Sequence, residues 1–400
     1  MMQILDAEKE SRIWPLFRLG FRVFFLGGAL FSALAMLLWW FSLSGVAVLP
    51  GVGNPIWWHA HEMIFGFALA IVAGFVLTAM QNWTGMPGVR GWPLAVVAGL
   101  WLLPRLLMPL RGELSPLVIT LDLLWLPLVA GMVARPVLQV KQWRNLFFVP
   151  LFIVFTLLNA LSYYAAFSGN WLLAERVFVT AVLALSGLIA VMGGRVIPFF
   201  TARATNTDKP VPQPWLEKLS LSTLWLGVLG WLLLPRTDGL NTLLAVILLV
   251  AALANLVRLA RWNSKLTLKI PLLWILHLGY LFIPLGLLAL AAALLQWGIS
   301  TSLATHWLTS GAIGMVILGM IARVSLGHSG RPLAIGRLVV IAFVLLLLAA
   351  LIRSLLPILI PGMTNTAYHA SAFAWMLAFG IFSWVYWPIL TRPRIDGRPG

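Results

Sequence analysis

Long apolar runs separated by short polar breaks recur from one end of the chain to the other. Runs of about 20 apolar residues are long enough to cross a bilayer, and at that length only a helix satisfies its own backbone there. The pattern predicts twelve spans, near residues 20–42, 59–81, 92–110, 115–133, 146–167, 174–193, 217–235, 239–259, 271–295, 303–322, 334–356 and 366–388. The breaks are short except for "RATNTDKPVPQPWLEK" at 203–218, whose Pro, Asn and charged residues mark a polar loop. The expected fold is an all-α polytopic membrane protein. Residues 1–400 form a single membrane domain, with six-span halves at 1–202 and 219–400. No repeat of fixed period stands out: "GGRVIPFF" and "ARVSLGH" both end even-numbered spans but share only an Arg-Val pair.

Composition narrows the class. The chain is 61% hydrophobic and 10% charged, which leaves no room for a sizeable water-soluble domain. A net charge of +16 could suggest nucleic acid, but the Lys and Arg residues sit between apolar spans rather than on one soluble face. They read instead as topology signals. Placing both termini in the cytoplasm puts every Lys and Arg on that side except Arg105, Arg111, Arg176, Arg236 and Arg353. The N-terminal segment carries Asp6, Glu8 and Glu10, unlike the basic start of a cleaved signal, so the first helix is expected to be retained. Most of the 21 tryptophans fall to interfacial anchoring and packing.

With no cysteine in the chain, imidazole, thioether and carboxylate are the available metal donors. There are six histidines, and four gather where even-numbered spans begin: His59 and His61 open span 2, His306 opens span 10 and His369 opens span 12. Helix bundles build metal and haem sites from side chains of facing helices at one level. Each of these histidines is therefore either a ligand or a hydrogen-bonded interface residue, and His369 alone is closer to the second. In His59-Ala60-His61 the two rings are about 200° apart around the helix. They suit two neighbouring cofactors, or one ligand and one partner, better than one shared metal. Glu62 either orients an imidazole, carries protons or is solvated; Asp122 either pairs with Arg105 or relays protons.

A second group belongs at the opposite level. His277, in "WILHLGY", lies about 9 Å into span 9 by helical rise. Arg22, Arg195, Arg323 and His328 come at a comparable level, His328 in a loop with Gly and Ser. Cations beside a buried His read as an anion or propionate cradle, or as hydrogen-bonded structural groups.

The stretches "WWHAHEMIFGFALAIVAGFVLTAMQNWTG", "GGRVIPFFTARA", "HWLTSGAIGMVILGMIARVSLGHSGRPL" and "RPRIDGRPG" resemble the NnrS family of bacterial membrane proteins. The resemblance covers nearly the whole chain. It implies a twelve-span inner-membrane protein that contains haem, with b-type expected, and copper, and that is associated with denitrification and the response to nitric oxide and nitrosative stress. The family's histidine motifs fall on His59, His61, His277, His306 and His328, and the expected cofactor-binding set adds Arg195 and Arg323. Metal ligands are expected among His59, His61, His306 and His277, with Glu62 and Asp122 as proton or supporting groups. The partners implied are nitric oxide, the lipid bilayer and an electron donor in the membrane. Haem–copper oxidases offer an architectural analogy only, with twelve spans and a His-x-His pair.

The leading functional expectation is a haem and copper protein that binds or transforms nitric oxide or its products. Two others stand beside it. A secondary transporter would also have twelve spans in two halves, although no matched pair of interrupted helices is evident in the sequence. A non-catalytic protein that holds haem or copper for another enzyme would show bound metal without turnover.

Overall fold

A computed structural model describes residues 7–46, 54–111 and 115–398; Asp6 lies outside them. Among the described residues, twelve helices are long and apolar enough to cross a membrane: α1 (Gly20–Leu43), α2 (Pro55–Thr84), α3 (Trp92–Pro109), α4 (Pro116–Gln139), α5 (Trp143–Phe167), α6 (Trp171–Thr205), α7 (Pro214–Leu233), α8 (Asp238–Ala260), α9 (Pro271–Leu294), α10 (Thr301–His328), α11 (Arg337–Leu359) and α12 (Pro361–Thr391). No strand occurs among the described residues. The chain is a multi-pass helical membrane protein, as the hydrophobic pattern predicts.

Local sequence explains where the helices start. Asn54 and Ser115 cap α2 and α4 by accepting from the backbone N–H of Ile56 and Val118, and a proline follows each cap, where its missing N–H is harmless. Ser300 caps α10 in the same way, through Leu303 N–H. Two helices run further than their apolar patterns suggest. α6 continues through Pro198 to Thr205, so the polar connection after it is shorter than 203–218. α10 continues to His328, which is therefore the last residue of a helix and not a loop residue. Apolarity marks the lipid-crossing part of a helix, whereas backbone hydrogen bonding carries the helix beyond it.

The chain divides into two compact units. One comprises residues 1–175, 321–334 and 379–400, the other 176–320 and 335–378. Each has an irregularity at the corresponding place. In α2 the backbone changes from α to π-helix over Glu62–Ala68, immediately after His61. In α10 it does so over Trp307–Ile313, immediately after His306.

The correspondence extends to packing. A Cβ at Gly66 would lie 2.7 Å from Phe31, and one at Gly74 2.7 Å from Phe24, both on α1. In the other unit a Cβ at Gly311 would overlap Phe282, and one at Gly319 would lie 2.7 Å from Ile275, both on α9. Each His is thus followed at matching spacings by two glycines, and each pair of glycines admits residues seven apart on the preceding span. Arg105 and Pro109 on α3 are matched by Arg353 and Pro357 on α11. This recurrence is compatible with the absence of a repeat of fixed period in the sequence. The α1–α3 arrangement recurs in α9–α11, marked by a few small residues and a change of helix type rather than by a fixed sequence period.

Candidate functional site

In the first unit, His61 lies at the centre of a buried polar cluster. The rotation between His59 and His61 sends the two rings apart, with His59 stacking on Trp39 at 4.5 Å between centroids. His61 is 0% exposed and stacks on Trp57 at 4.7 Å. Its Nδ1 is 2.9 Å from Glu62 Oε1, and its Nε2 is 3.1 Å from Asp122 Oδ2 and 2.9 Å from Asn159 Oδ1. Arg105 pairs with Asp122 through Nη1, and its Nε is 3.2 Å from Glu62 Oε2. Asp122 also accepts from Asn159 Nδ2 and the Tyr163 hydroxyl, each at 2.8 Å. Polar groups from four helices, α2 to α5, are thereby closed on one another, with two carboxylates set against Arg105 and His61. Both ring nitrogens of His61 face acceptors, so neither presents a lone pair to a metal.

Elsewhere in this unit Arg22 is fully buried, and its Nη1 donates to the carbonyls of Leu390 and Arg392 at 3.0 and 2.8 Å. The His328 ring packs against Phe21 at 5.5 Å, and its backbone carbonyl accepts from Arg394 at 2.8 Å. Arg394 in turn pairs with Asp396 at 2.6 Å. Arg323, on the last turns of α10, is buried.

The second unit holds His277. Thr201 donates its hydroxyl to the Ile197 carbonyl at 2.9 Å and so accepts from His277 Nε2–H, also at 2.9 Å. Nδ1 must then accept from the Ser264 hydroxyl at 2.8 Å. Nearby on the same helix Tyr280 bonds Arg258 at 2.8 Å and Asn255 at 2.6 Å, while Arg258 donates to Glu217 and to the Ala190 carbonyl, each at 2.7 Å. Gly194 is glycine because any Cβ there would collide with the Arg258 guanidinium. Arg195, which follows it, is half-buried.

His306 is anchored differently. Its Nδ1 donates to the Ser302 carbonyl one turn back, at 2.6 Å, which puts the lone pair on Nε2. His369 repeats this with the Asn365 carbonyl at 2.9 Å. Held this way by its own backbone, each ring is fixed as the Nδ1–H tautomer, in which Nε2 would be the nitrogen to hold a haem iron. The Ser302 hydroxyl meanwhile lies 3.3 Å from Arg353 Nη2, and the Arg353 guanidinium sits 4.0 Å over the Tyr368 ring.

The six histidines thus divide. His59, His61 and His328 belong to the first unit, and His277, His306 and His369 to the second. Among the described residues no three His, Asp or Glu side chains are arranged to hold a metal ion. His306, and by the same anchoring His369, would be the imidazoles to hold a haem, and the described residues do not present a three-donor copper centre. Sequence reasoning missed Asn159, Tyr163, Ser302, Arg353 and Tyr368. Asn159 was the one with a readable signal, a carboxamide in the middle of the apolar run "FIVFTLLNALSYY". No curated protein matches the chain. The family model described as NnrS protein matches residues 15–394, nearly its whole length.

Proposed function

Because the chain belongs to the NnrS family, we propose that it is a haem-holding protein of the bacterial inner membrane, with both termini cytoplasmic, that binds or transforms nitric oxide or its products and so limits nitrosative stress. Family membership supports the link to nitric oxide and the expectation of haem and copper. The observation that carries the haem reading is His306, whose Nδ1 is tied to the Ser302 carbonyl at 2.6 Å at the point where α10 becomes π-helical. Wide π turns are concentrated at functional sites, and a backbone-anchored imidazole suits an iron ligand. Haem supplies an iron that takes up nitric oxide directly. The chain's own contribution is to orient His306 through the Ser302 carbonyl. Copper rests on the family expectation alone.

His61 and His277 have other duties under this reading. The first closes a buried ion cluster and the second joins two hydroxyls, so neither is needed to bind iron. The protein purified in detergent should show a Soret band with stoichiometric haem. His306→Ala should lose most of that band, and His277→Ala should keep it. Absence of both the band and bound metal from the purified wild type would remove the proposal.

One observation favours the carrier alternative. The π segments of α2 and α10 are a matched pair of irregular helices, which the sequence does not reveal. They remain helical, however, and do not open the unwound backbone on which carriers build ion sites. Counterflow uptake by metal-free protein in liposomes would turn the assignment toward transport.

A further inference from the structure

The repeated arrangement places two arginines at corresponding positions, and their surroundings differ in one respect. Arg105 has acids on both sides, Glu62 from α2 and Asp122 from α4. Arg353 has none. It is 9% exposed, its Nη2 reaches the Ser302 hydroxyl at 3.3 Å, and its Nη1 is buried with no hydrogen-bond partner. The described residues of its unit contain three carboxylates, Asp208, Glu217 and Asp238. Glu217 is committed to Arg258, and the other two are exposed. A guanidinium enclosed by protein without a counter-charge is strongly disfavoured, and its planar fork matches a carboxylate or a small oxyanion. The Arg353 guanidinium carbon lies 4.0 Å from the centroid of the Tyr368 ring, which packs against the fork. Ser302 links this fork to the cofactor candidate, since its hydroxyl bonds Arg353 and its carbonyl bonds His306.

We propose that Arg353 is the receptor for an anionic group, a carboxylate or small oxyanion, bound in the second unit through Nη1 beside Ser302 and Tyr368. Two sources share that chemistry: a propionate of a porphyrin ligated nearby, or a free anion such as nitrite. The propionate source rests on the haem reading above, whereas the free-anion source does not.

The test uses the full-length protein in detergent, with Arg353→Gln, Arg353→Lys and the exposed-site control Arg337→Gln. In one arm, haem-free protein is titrated with haem and with haem dimethyl ester, whose propionates carry no charge. In the other, it is titrated with nitrite and with acetate, followed by calorimetry and by intrinsic fluorescence. If a propionate is the anion, wild type and Arg337→Gln prefer haem over the diester by about tenfold to a hundredfold, the range for deleting a charged hydrogen-bond partner. Arg353→Gln then loses the preference and Arg353→Lys keeps part of it. If the anion is free, nitrite or acetate binds wild type saturably and Arg353→Gln loses about the same factor. Should neither porphyrin bind wild type, the haem reading fails, and the nitrite and acetate arm still decides this proposal. Wild type that neither distinguishes the porphyrins nor binds either anion overturns it, even if the variants fail to fold. So does Arg353→Gln behaving like wild type.

Discussion

At the residue scale the histidines are distinguished by what their nitrogens touch. His61 and His277 are bonded through both ring nitrogens, to carboxylates and an amide in one case and to two hydroxyls in the other. His306 is held through Nδ1 by its own helix. The His61 cluster should behave as a coupled unit. Arg105→Leu or Asp122→Leu alone strands a buried charge and should cost about 3–5 kcal/mol of stability. The double variant should cost clearly less than the two losses added together, which a double-mutant cycle read by thermal unfolding in detergent would check. Equal, additive losses would mean that the pair is not coupled. The Arg105–Asp122 pairing was legible in the sequence as one of two options, since both are rare ions within apolar helices. Ser302 and Thr201 were not, because a hydroxyl in a membrane helix commonly bonds its own backbone and signals nothing about a neighbour.

At the scale of elements, His61 and His306 sit where α2 and α10 change their winding. Gly66 and Gly311 lie inside the wide turns, and Gly74 and Gly319 lie two turns beyond. Small residues let membrane helices approach closely enough for van der Waals contact to hold them together. Gly74→Leu and Gly319→Leu should therefore each destabilise the protein by about 1–3 kcal/mol through overpacking. Gly131→Ala, at a position where a Cβ meets nothing within 4 Å, should leave the melting midpoint unchanged or slightly raised. The twelve spans were legible because lipid imposes length and apolarity on each one. The repeat was not, because it resides in which residues two helices admit to each other, and the chain's 34 glycines hide the few that matter.

For the molecule as a whole, the proposed orientation depends on the distribution of Lys and Arg. The chain has no cysteine, so single cysteines report topology without background. Ser168, after α5, and Thr207, after α6, are both exposed. Ser168→Cys should react with a membrane-impermeant maleimide in intact spheroplasts, and Thr207→Cys only after the membrane is opened. The reverse pattern would invert the assignment and place the His306 end of α10 in the cytoplasm. The first unit also carries a consequence for biosynthesis. Its helix α1 leaves the ribosome long before the segment that holds Leu390 and Arg392, yet Arg22 donates to the carbonyls of both. Those bonds form only once that segment has emerged, so a chain cut short before it inserts its spans with that cation still unclasped, and such products offer quality-control proteases an early mark of incompleteness.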